Sequence, residues 1–255
     1  MNIAFVGCSY THWSDGNCKD NNYPALFAKD HPEHNVYDLS LTGASNDSIY
    51  FRLYYAQKHY GVTFDKVIVQ TTHFARTLHW YNTWEYDWDI PLGLDGYTIN
   101  NYTSIGHRFG HQHFDTLTSG VIFLENRWQS KVAIKVSKSI GMKFRQLQKF
   151  FANEFDGHKY VWQCQKELDT VNGVYGEENV KVFSWHENFD SKTSKHHDLI
   201  LPNNFIGSVQ KTFGEKFIHE DYAVDNSPHY NAAGHLAVYK WLLPHITDMV
   251  EKCPN

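Results

Sequence analysis

The chain of 255 residues lacks the features of several large classes of protein. No run approaches the ~18 apolar residues that a membrane-spanning helix needs. A net charge of −5 without a basic stripe argues against nucleic acid as a partner. The cysteines have no C-x-x-C spacing, so neither a zinc-binding pair nor a redox pair is predicted, and we expect free thiols: Cys8, Cys18, Cys164 and Cys253.

The beginning of the chain lacks the charged segment, apolar run and cleavage site that direct secretion. We accordingly predict a cytoplasmic location, although this sequence pattern does not exclude release by another route. Gly-x-Ser-x-Gly is also missing, which argues against the nucleophile elbow of the α/β-hydrolases.

The chain does contain an alternation of strand and helix patterns. Apolar residues make up 42%, enough for a core. Runs typical of buried parallel strands occur at Ile3–Val6, Val36–Leu39, Lys66–Gln70 and Val180–Phe183. Helices are predicted at Tyr23–Asp30, from Asn46 or Asp47 (Ile49, Leu53, Ala56, Tyr60), around Ile140, Phe144, Leu147, Phe151 and Phe155, and over the last segment (Ala232, Leu236, Tyr239, Leu243, Ile246, Val250). This pattern predicts an α/β domain over 1–255, with a parallel sheet covered by helices on both faces.

Two residues define the expected shape of the last helix. Asn231 has the side chain of a helix N-cap and stands just before the periodic residues. Pro244 stands near the middle, where it is predicted to kink or split the helix.

A long interval from about 77 to 131 interrupts the alternation. It is rich in Trp, Tyr, Asn, Asp and Gly, and its apolar residues show neither the helical nor the strand spacing clearly. Aromatic content disfavours disorder, and long loop-rich insertions are usually functional. We predict a lid or binding elaboration on the same domain.

Two distant segments carry the parts of a serine hydrolase. Ser9 follows the glycine that ends the first strand, and Asp225 and His229 stand just before the last helix. A nucleophile, a base and an orienting acid recur on unrelated folds in any chain order. Alternation aims Cys8 away from the side to which Ser9 points, so Cys8 is predicted to pack in the core.

Three blocks resemble the motifs of the SGNH (GDSL-type) hydrolases. The segment Gly7-Cys8-Ser9-Tyr10-Thr11 is similar to the first block, although Cys8 replaces the usual aspartate. The segment from Leu41 to Asp47, which contains Gly43, is similar to the second, and the segment from Asp225 to His235 is similar to the last. The blocks occur in the family's order and span nearly the whole chain.

The resemblance implies a three-layer, flavodoxin-like α/β/α fold and an esterase activity without a metal or organic cofactor. It implies a nucleophile at Ser9, a base at His229 and an oxyanion-hole amide at Gly43. The third block is not recognisable. His73 would occupy its asparagine position, so the side-chain oxyanion donor is either His73 or Asn46, the latter in competition with a helix-capping role.

The acid partner of His229 also has two candidates. Asp225 lies four residues before His229, where the family spacing is three, and Asn226 stands at the family position. An amide cannot stabilise an imidazolium as a carboxylate does, so we predict Asp225 as the orienting residue. His235, inside the last helix, is predicted to be structural.

The substrate is predicted from the aromatic interval. Trp and Tyr rings that alternate with Asn and Asp suit stacking on sugars with hydrogen bonds to hydroxyls. We therefore predict a short acyl ester, acetyl on a carbohydrate. A carbohydrate O-acyltransferase and a non-catalytic glycan-binding or structural module remain the alternatives. A metal cluster of His107, His111, His113 and Asp115 is disfavoured, because glycines interrupt the run and no helix supports it.

Overall fold

The computed structural model describes residues 1–12, 21–40, 44–72, 76–80, 97–104, 114–118, 157–185, 201–214, 217 and 229–251. The strands are β1 (Asn2–Val6), β2 (Asn35–Asp38), β3 (Lys66–Thr71), β4 (Arg76–Trp80), β5 (Tyr97–Ile99), β6 (Tyr102–Ser104), β7 (Phe114–Thr118), β8 (Val180–Ser184) and β9 (Phe205–Ser208). The α-helices are α1 (Ser9–His12), α2 (Tyr23–Asp30), α3 (Ile49–Tyr60), α4 (Gly157–Tyr175), α5 (Val209–Phe213) and α6 (Ala232–Glu251). Short 3-10 helices cover Asn46–Ser48 and Glu177–Asn179. Within these ranges, no helix has the length and apolar content needed to cross a membrane.

One seven-stranded sheet organises the structure. Its order is β5-β6-β2-β1-β3-β8-β9, and every neighbouring pair is parallel except β5 with β6. The run from β2 to β9 repeats the 2-1-3-4-5 order of flavodoxin-like folds. A separate antiparallel pair joins β4 to β7.

Helices cover both faces of this sheet. The chain passes from β1 through α2 to β2, then reverses direction through α3 to reach β3 on the other side of β1. Right-handed crossovers in opposite directions place α2 and α3 on opposite faces. Helix α6 packs with α2, and α4 packs with α3, which completes the two outer layers. The predicted three-layer α/β class is confirmed.

The core lies between the sheet and these helices. Ile3, Ala4, Phe5 and Val6 are at most 1% exposed, as expected for a central parallel strand with both faces covered. The ring of Phe5 contacts the ring of Phe27 on α2 at a centroid distance of 5.9 Å. Full burial of such a side chain stabilises the fold by roughly 1.5–3 kcal/mol.

The predicted strands and helices within the described residues agree with the structure to within a few positions. The helix expected from Asn46 begins as a 3-10 turn and continues as α3, with Ile49, Leu53 and Ala56 buried. The helix expected around Ile140 to Phe155 lies outside the described residues. Within the aromatic interval, β4 to β7 are strands; those of three residues are too short to show a period. The prediction of a single domain with an insertion stays a prediction.

Helix α6 differs from its prediction in two ways. It runs unbroken through Pro244, so the helix is not split there. Its buried face is centred on His235, Val238 and Leu242, whereas Leu236 is 41% exposed. The shift arises because the ring of His235 inserts between the rings of Tyr23 and Tyr230, at centroid distances of 5.8 and 5.5 Å. Aromatic contacts therefore set the rotation of the helix.

Candidate active site

Ser9 and His229 meet at the edge where the parallel strands end. Ser9 is the first residue of α1, three positions after the end of β1, with Gly7 and Cys8 between them. Its Oγ lies 2.8 Å from His229 Nε2, although 220 positions separate the two residues. Ser9 is 2% exposed, so the hydroxyl is shielded from bulk water. This edge, beside the point where the strand order reverses at β1, is where ligands bind in open α/β sheets.

Aromatic rings hold His229 in place. The ring of Tyr10 stacks on that of Trp185 at 4.3 Å with the planes 12° apart, and it lies 5.2 Å from the imidazole. Tyr10 also contacts Tyr230 edge-on at 5.2 Å. The next residue, Asn231, caps α6: its side-chain oxygen accepts from the amide of Gly234 at 2.9 Å, which confirms the predicted N-cap. The ring of His229 is thus held by packing against Tyr10, and its backbone is held by the start of α6 two residues later.

A polar chain under the loop explains why position 7 is a glycine. Tyr23 donates to Thr11 Oγ1 at 2.7 Å, and Thr11 donates to Gln70 Oε1 at 2.5 Å. The amide of Cys8 donates to the same Gln70 oxygen at 3.3 Å. A Cβ on Gly7 would overlap Thr11 Oγ1 and lie 2.7 Å from Gln70 Oε1. The glycine therefore allows the turn that carries Ser9 to lie directly on this network.

Asn46 joins the ends of two segments of the site. Its side-chain amide donates to the carbonyl oxygen of Thr72 at 2.8 Å, and its side-chain oxygen accepts from the Thr72 amide at 2.7 Å. Both residues are buried. The N-cap positions of the 3-10 helix and of α3 belong instead to Ser45 and Ser48. Asn46 thus fixes the chain immediately before His73, and one hydrogen of its amide group is not used in this pair.

A buried arginine connects three loop segments behind the nucleophile. Arg52 Nη1 donates to the carbonyl oxygens of Gly7 at 2.5 Å and Leu39 at 2.9 Å. Its Nε donates to Ser48 at 3.2 Å. Burial lowers the pKa of Arg52 to about 10, while the nearby carboxyl groups act in the opposite direction. The side chain therefore stays cationic at neutral pH and ties the ends of β1 and β2 to the start of α3.

A second network holds the chain that leaves β2 towards Gly43. Asp38 is fully buried and accepts hydrogen bonds from the Ser40 amide at 2.9 Å, the Ser40 hydroxyl and the Tyr102 hydroxyl at 2.9 Å. Asn22, the N-cap of α2, donates to Asp38 at 3.4 Å and to Tyr102 at 3.0 Å. The carboxylate is thus satisfied by β6, α2 and its own loop, which directs the chain after Ser40.

A titratable group lies beside the Asn46 turn. Glu167 on α4 accepts from the amide of Tyr50, in the first turn of α3, at 2.8 Å. Burial raises the pKa of Glu167 to about 7; the hydrogen bond from Tyr50 opposes this shift and the nearby Asp47 adds to it. A carboxylate at this helix start is favoured by the backbone amides and disfavoured by desolvation. Its charge state therefore changes near neutral pH.

The other predicted residues divide into two groups. Asp225, Asn226, Gly43 and His73 lie outside the described residues. Cys8 and His235 are fully buried members of the packing around the site, as predicted. Cys8 and Cys164 are free thiols.

Sequence reasoning missed four supporting residues: Tyr10, Arg52, Gln70 and Trp185. Gln70 and Trp185 had a readable signal, because each stands at the carboxyl end of a predicted strand, the edge where sites form in such sheets. For Arg52 the only signal was its position beside Leu53, on the inner face of the predicted helix. A charged side chain is usually exposed to solvent, so this signal was weak.

Comparison with known proteins agrees with the architecture. No protein-family model and no curated protein matches the chain. Among solved structures, the crystal structure of TesA superimposes with a TM-score of 0.50, covering 98% of this chain and 99% of that chain at 10% sequence identity. At that identity the likeness establishes the fold. The chain shares the three-layer α/β/α fold of TesA, which is the fold expected from its resemblance to the SGNH (GDSL-type) hydrolases.

Proposed function

We propose that the protein is a serine esterase that cleaves short acyl esters through Ser9 and His229. The observation that supports this most strongly is the 2.8 Å separation of Ser9 Oγ and His229 Nε2. A nucleophile and a base within hydrogen-bond reach, brought together from opposite parts of the chain, are the diagnostic pair of covalent acyl transfer. The fold and its ligand-binding edge support the same assignment.

The chemistry follows from the pair. Ser9 Oγ attacks the ester carbonyl carbon while its proton passes to His229 Nε2. The tetrahedral intermediate collapses, the ester C–O bond breaks, and His229 returns the proton to the departing alcohol. Water then attacks the acyl-Ser9 ester, gives a proton to His229, and the second collapse releases the acid and regenerates the serine. Electrons and protons balance without an external cofactor.

Three further roles complete the proposal. Asp225 accepts from His229 Nδ1, holds its tautomer and stabilises the imidazolium. The backbone amides of Ser9 and Gly43 donate to the oxyanion, together with a side-chain donor from Asn46 or His73. The unused amide hydrogen of Asn46 and its rigid pairing with Thr72 support Asn46 for that part. One such donor is typically worth about 3 kcal/mol in the transition state.

The substrate proposed is a small acyl group, acetyl, carried on a carbohydrate. Ser9, Tyr10 and Trp185 are all under 9% exposed, and so compact a setting around the hydroxyl supports a short acyl chain. The carbohydrate half of the proposal rests on the aromatic and amide-rich composition of the 77–131 interval.

Covalent labelling tests the nucleophile. A fluorophosphonate probe should modify the wild-type protein on the peptide that contains Ser9, and Ser9→Ala should lose labelling and at least about 10⁴-fold in kcat. Cys8→Ala is the matched control, because it alters the neighbouring nucleophile on the same peptide and should retain labelling. Modification at another residue, or an active Ser9→Ala variant, contradicts the assignment. Complete absence of labelling of a folded protein would favour the non-catalytic module.

A substrate panel tests the proposed substrate, a short acyl group carried on a carbohydrate. Turnover of p-nitrophenyl esters should fall steeply as the acyl chain lengthens beyond acetyl. Acetylated polysaccharides should release acetate, and product analysis with added sugar acceptors separates hydrolysis from acyl transfer. A preference for long acyl chains would contradict the short-chain proposal while leaving the Ser9 assignment intact.

A further inference from the structure

The turn between α2 and β2 brings three metal-ligating side chains together, away from Ser9. His31 Nδ1 lies 3.3 Å from Glu33 Oε1, and the same oxygen lies 3.4 Å from His34 Nε2. Each of the three residues offers one ligand atom that lies within 4.8 Å of those of the other two. We propose that this turn binds one divalent transition-metal ion, with zinc the best fit, through His31, Glu33 and His34.

The distances match the size of a zinc site. Ligand atoms about 2.0–2.1 Å from a tetrahedral zinc ion lie about 3.3–3.4 Å from each other, as the two histidine–glutamate separations do. The third side, between the two imidazole nitrogens, is at most 4.8 Å, so these two atoms must approach by up to about 1.4 Å to reach the spacing of a tetrahedral ion. Rotation of the two rings supplies that approach, and a solvent molecule would complete the tetrahedron.

The turn is organised before any ion arrives. The side-chain amide of Asn101 donates to the backbone carbonyl oxygens of His31 at 3.1 Å and His34 at 2.7 Å. The His31 ring stacks on Phe27 at 4.4 Å, and the two imidazoles are parallel to within 4°. The Asn101 bonds and the Phe27 contact thus order the backbone of the turn before binding, and this ordering does not reduce the affinity. The rings themselves must rotate out of their parallel arrangement, because a metal ion lies in the plane of each imidazole that binds it.

Imidazole and carboxylate together are donors that suit zinc. Zinc-bound imidazoles usually donate their second nitrogen to a partner, and that support is worth about 10–100-fold in affinity. His34 Nδ1 is buried and has no hydrogen-bond partner among the described residues. We therefore expect zinc to bind about 10–100-fold more weakly than at a fully supported site.

The position of the turn separates this ion from the ester chemistry. His34 immediately precedes β2, whose first residue, Asn35, lies beside Asn2 at the start of β1. Ser9 follows the other end of β1. At about 3.3 Å per residue, the strand alone spans roughly 17 Å. The ion would thus stabilise the α2–β2 connection and take no part in acyl transfer.

Zinc titration tests the site directly. Chelator-treated, desalted protein is titrated with zinc sulfate by calorimetry, and tetrahedral binding is read from the visible absorption of cobalt(II). The wild type should take up one equivalent more than Glu33→Gln or His31→Gln. Zinc at about 100 times its dissociation constant should raise the melting temperature of the wild type by about 5–10 °C, and that of the two variants much less.

Two matched variants control for general loss of charge or imidazole. Glu251→Gln removes an exposed carboxylate and His245→Gln a partly buried imidazole, both on α6, and both should retain the wild-type stoichiometry. Equal stoichiometry and equal thermal shifts in wild type and Glu33→Gln would overturn the proposal, and would assign the cluster to an ion pair of Glu33 with protonated histidine. An equal loss in the α6 controls would overturn it as well.

Discussion

Gly7 and Arg52 are joined by a hydrogen bond of 2.5 Å from the guanidinium to the carbonyl oxygen, and this bond anchors the loop that carries Ser9. The same cation donates to Leu39 and Ser48, on the loops that lead towards the predicted oxyanion groups. One buried side chain therefore fixes the relative positions of the three segments that carry or precede the predicted site residues.

Arg52→Met should reduce both stability and turnover. It leaves the carbonyl groups of Gly7 and Leu39 without the guanidinium donor, and each unsatisfied buried group costs about 1–3 kcal/mol. We expect a loss of about 3 kcal/mol or more in the free energy of unfolding, measured with urea. In conditions where the variant is still folded, kcat for p-nitrophenyl acetate should fall at least tenfold with KM little changed, because the reacting groups are misplaced.

Lys66→Met is the matched control for Arg52. Lys66 is a buried cation on β3 that donates to Asn179 at 2.6 Å, at the opposite end of the sheet from Ser9. Its removal should lower stability while kcat remains near the wild-type value. Equal losses of kcat in the two variants would mean that Arg52 acts only through global stability.

Gly7→Ala and Gly173→Ala should have opposite effects. A methyl group at position 7 overlaps the Thr11 hydroxyl, so the Ser9 turn must shift, and we expect a large loss of kcat together with a lower melting temperature. Gly173 lies inside α4, and apart from the helix's own backbone and the two adjacent residues no atom lies within 4 Å of the added methyl, so alanine there should stabilise the protein by roughly 0.5–1 kcal/mol. Calorimetry and ester turnover of both variants check the pair, and an active, stable Gly7→Ala would contradict the close approach.

The acid partner of His229 can be identified by four substitutions. His229→Ala should abolish turnover, whereas His235→Ala should mainly lower stability, because His235 is a buried packing residue. Asp225→Asn should reduce kcat severely, since it removes the charge that supports the imidazolium, and Asn226→Ala should be milder. Steady-state kinetics of the four variants gives the ranking. A worse defect in Asn226→Ala than in Asp225→Asn would place the orienting residue at the family spacing.

Glu167 should make stability depend on pH. Its pKa in the folded state is raised to about 7, above the ~4.3 of an exposed glutamate. Protonation of Glu167 therefore adds to the free energy of unfolding, fully below pH ~4, and this contribution is lost as the pH rises through 7. In Glu167→Gln this loss is absent. The free energy of unfolding of the variant relative to wild type should therefore rise by about 2–3 kcal/mol between pH 5 and pH 8.

Urea unfolding at the two pH values measures that difference. Asp169→Asn, on the exposed face of the same helix, is the control and should leave the pH dependence of the wild type in place. A constant offset between Glu167→Gln and wild type across this range would show that the carboxyl group is ionised at both pH values.

Much of the fold could be predicted because its signals are local. The apolar run from Ile3 to Val6 and the glycine after it define β1 and its end, and Asn231 marks the start of α6. These boundaries place Ser9 and His229 at loop positions, and the structure brings the two together, while their catalytic roles stay predictions.

The supporting contacts could not be predicted, because each depends on neighbours that only the tertiary structure supplies. Asn46 pairs with Thr72 because the sheet places β2 and β3 on the two sides of β1, so that the segments that follow them come together. No spacing in the sequence encodes this strand order. Arg52 is buried because three carbonyl groups converge on it, against the usual preference of a charged side chain for solvent. The buried face of α6 differs from the predicted one for a similar reason, because His235 packs between the rings of Tyr23 and Tyr230.

The 220-position separation of Ser9 and His229 makes the assembly of this pair a late event in the folding of each molecule. A chain emerging from the ribosome presents Ser9 long before His229, whose imidazole reaches the serine only when α6 can dock against α2. Contacts of such long range form slowly, because the entropy of closing the intervening chain is lost before they contribute. Nascent and truncated chains thereby lack the assembled Ser9–His229 pair, and the proposed ester hydrolysis would report completed folding.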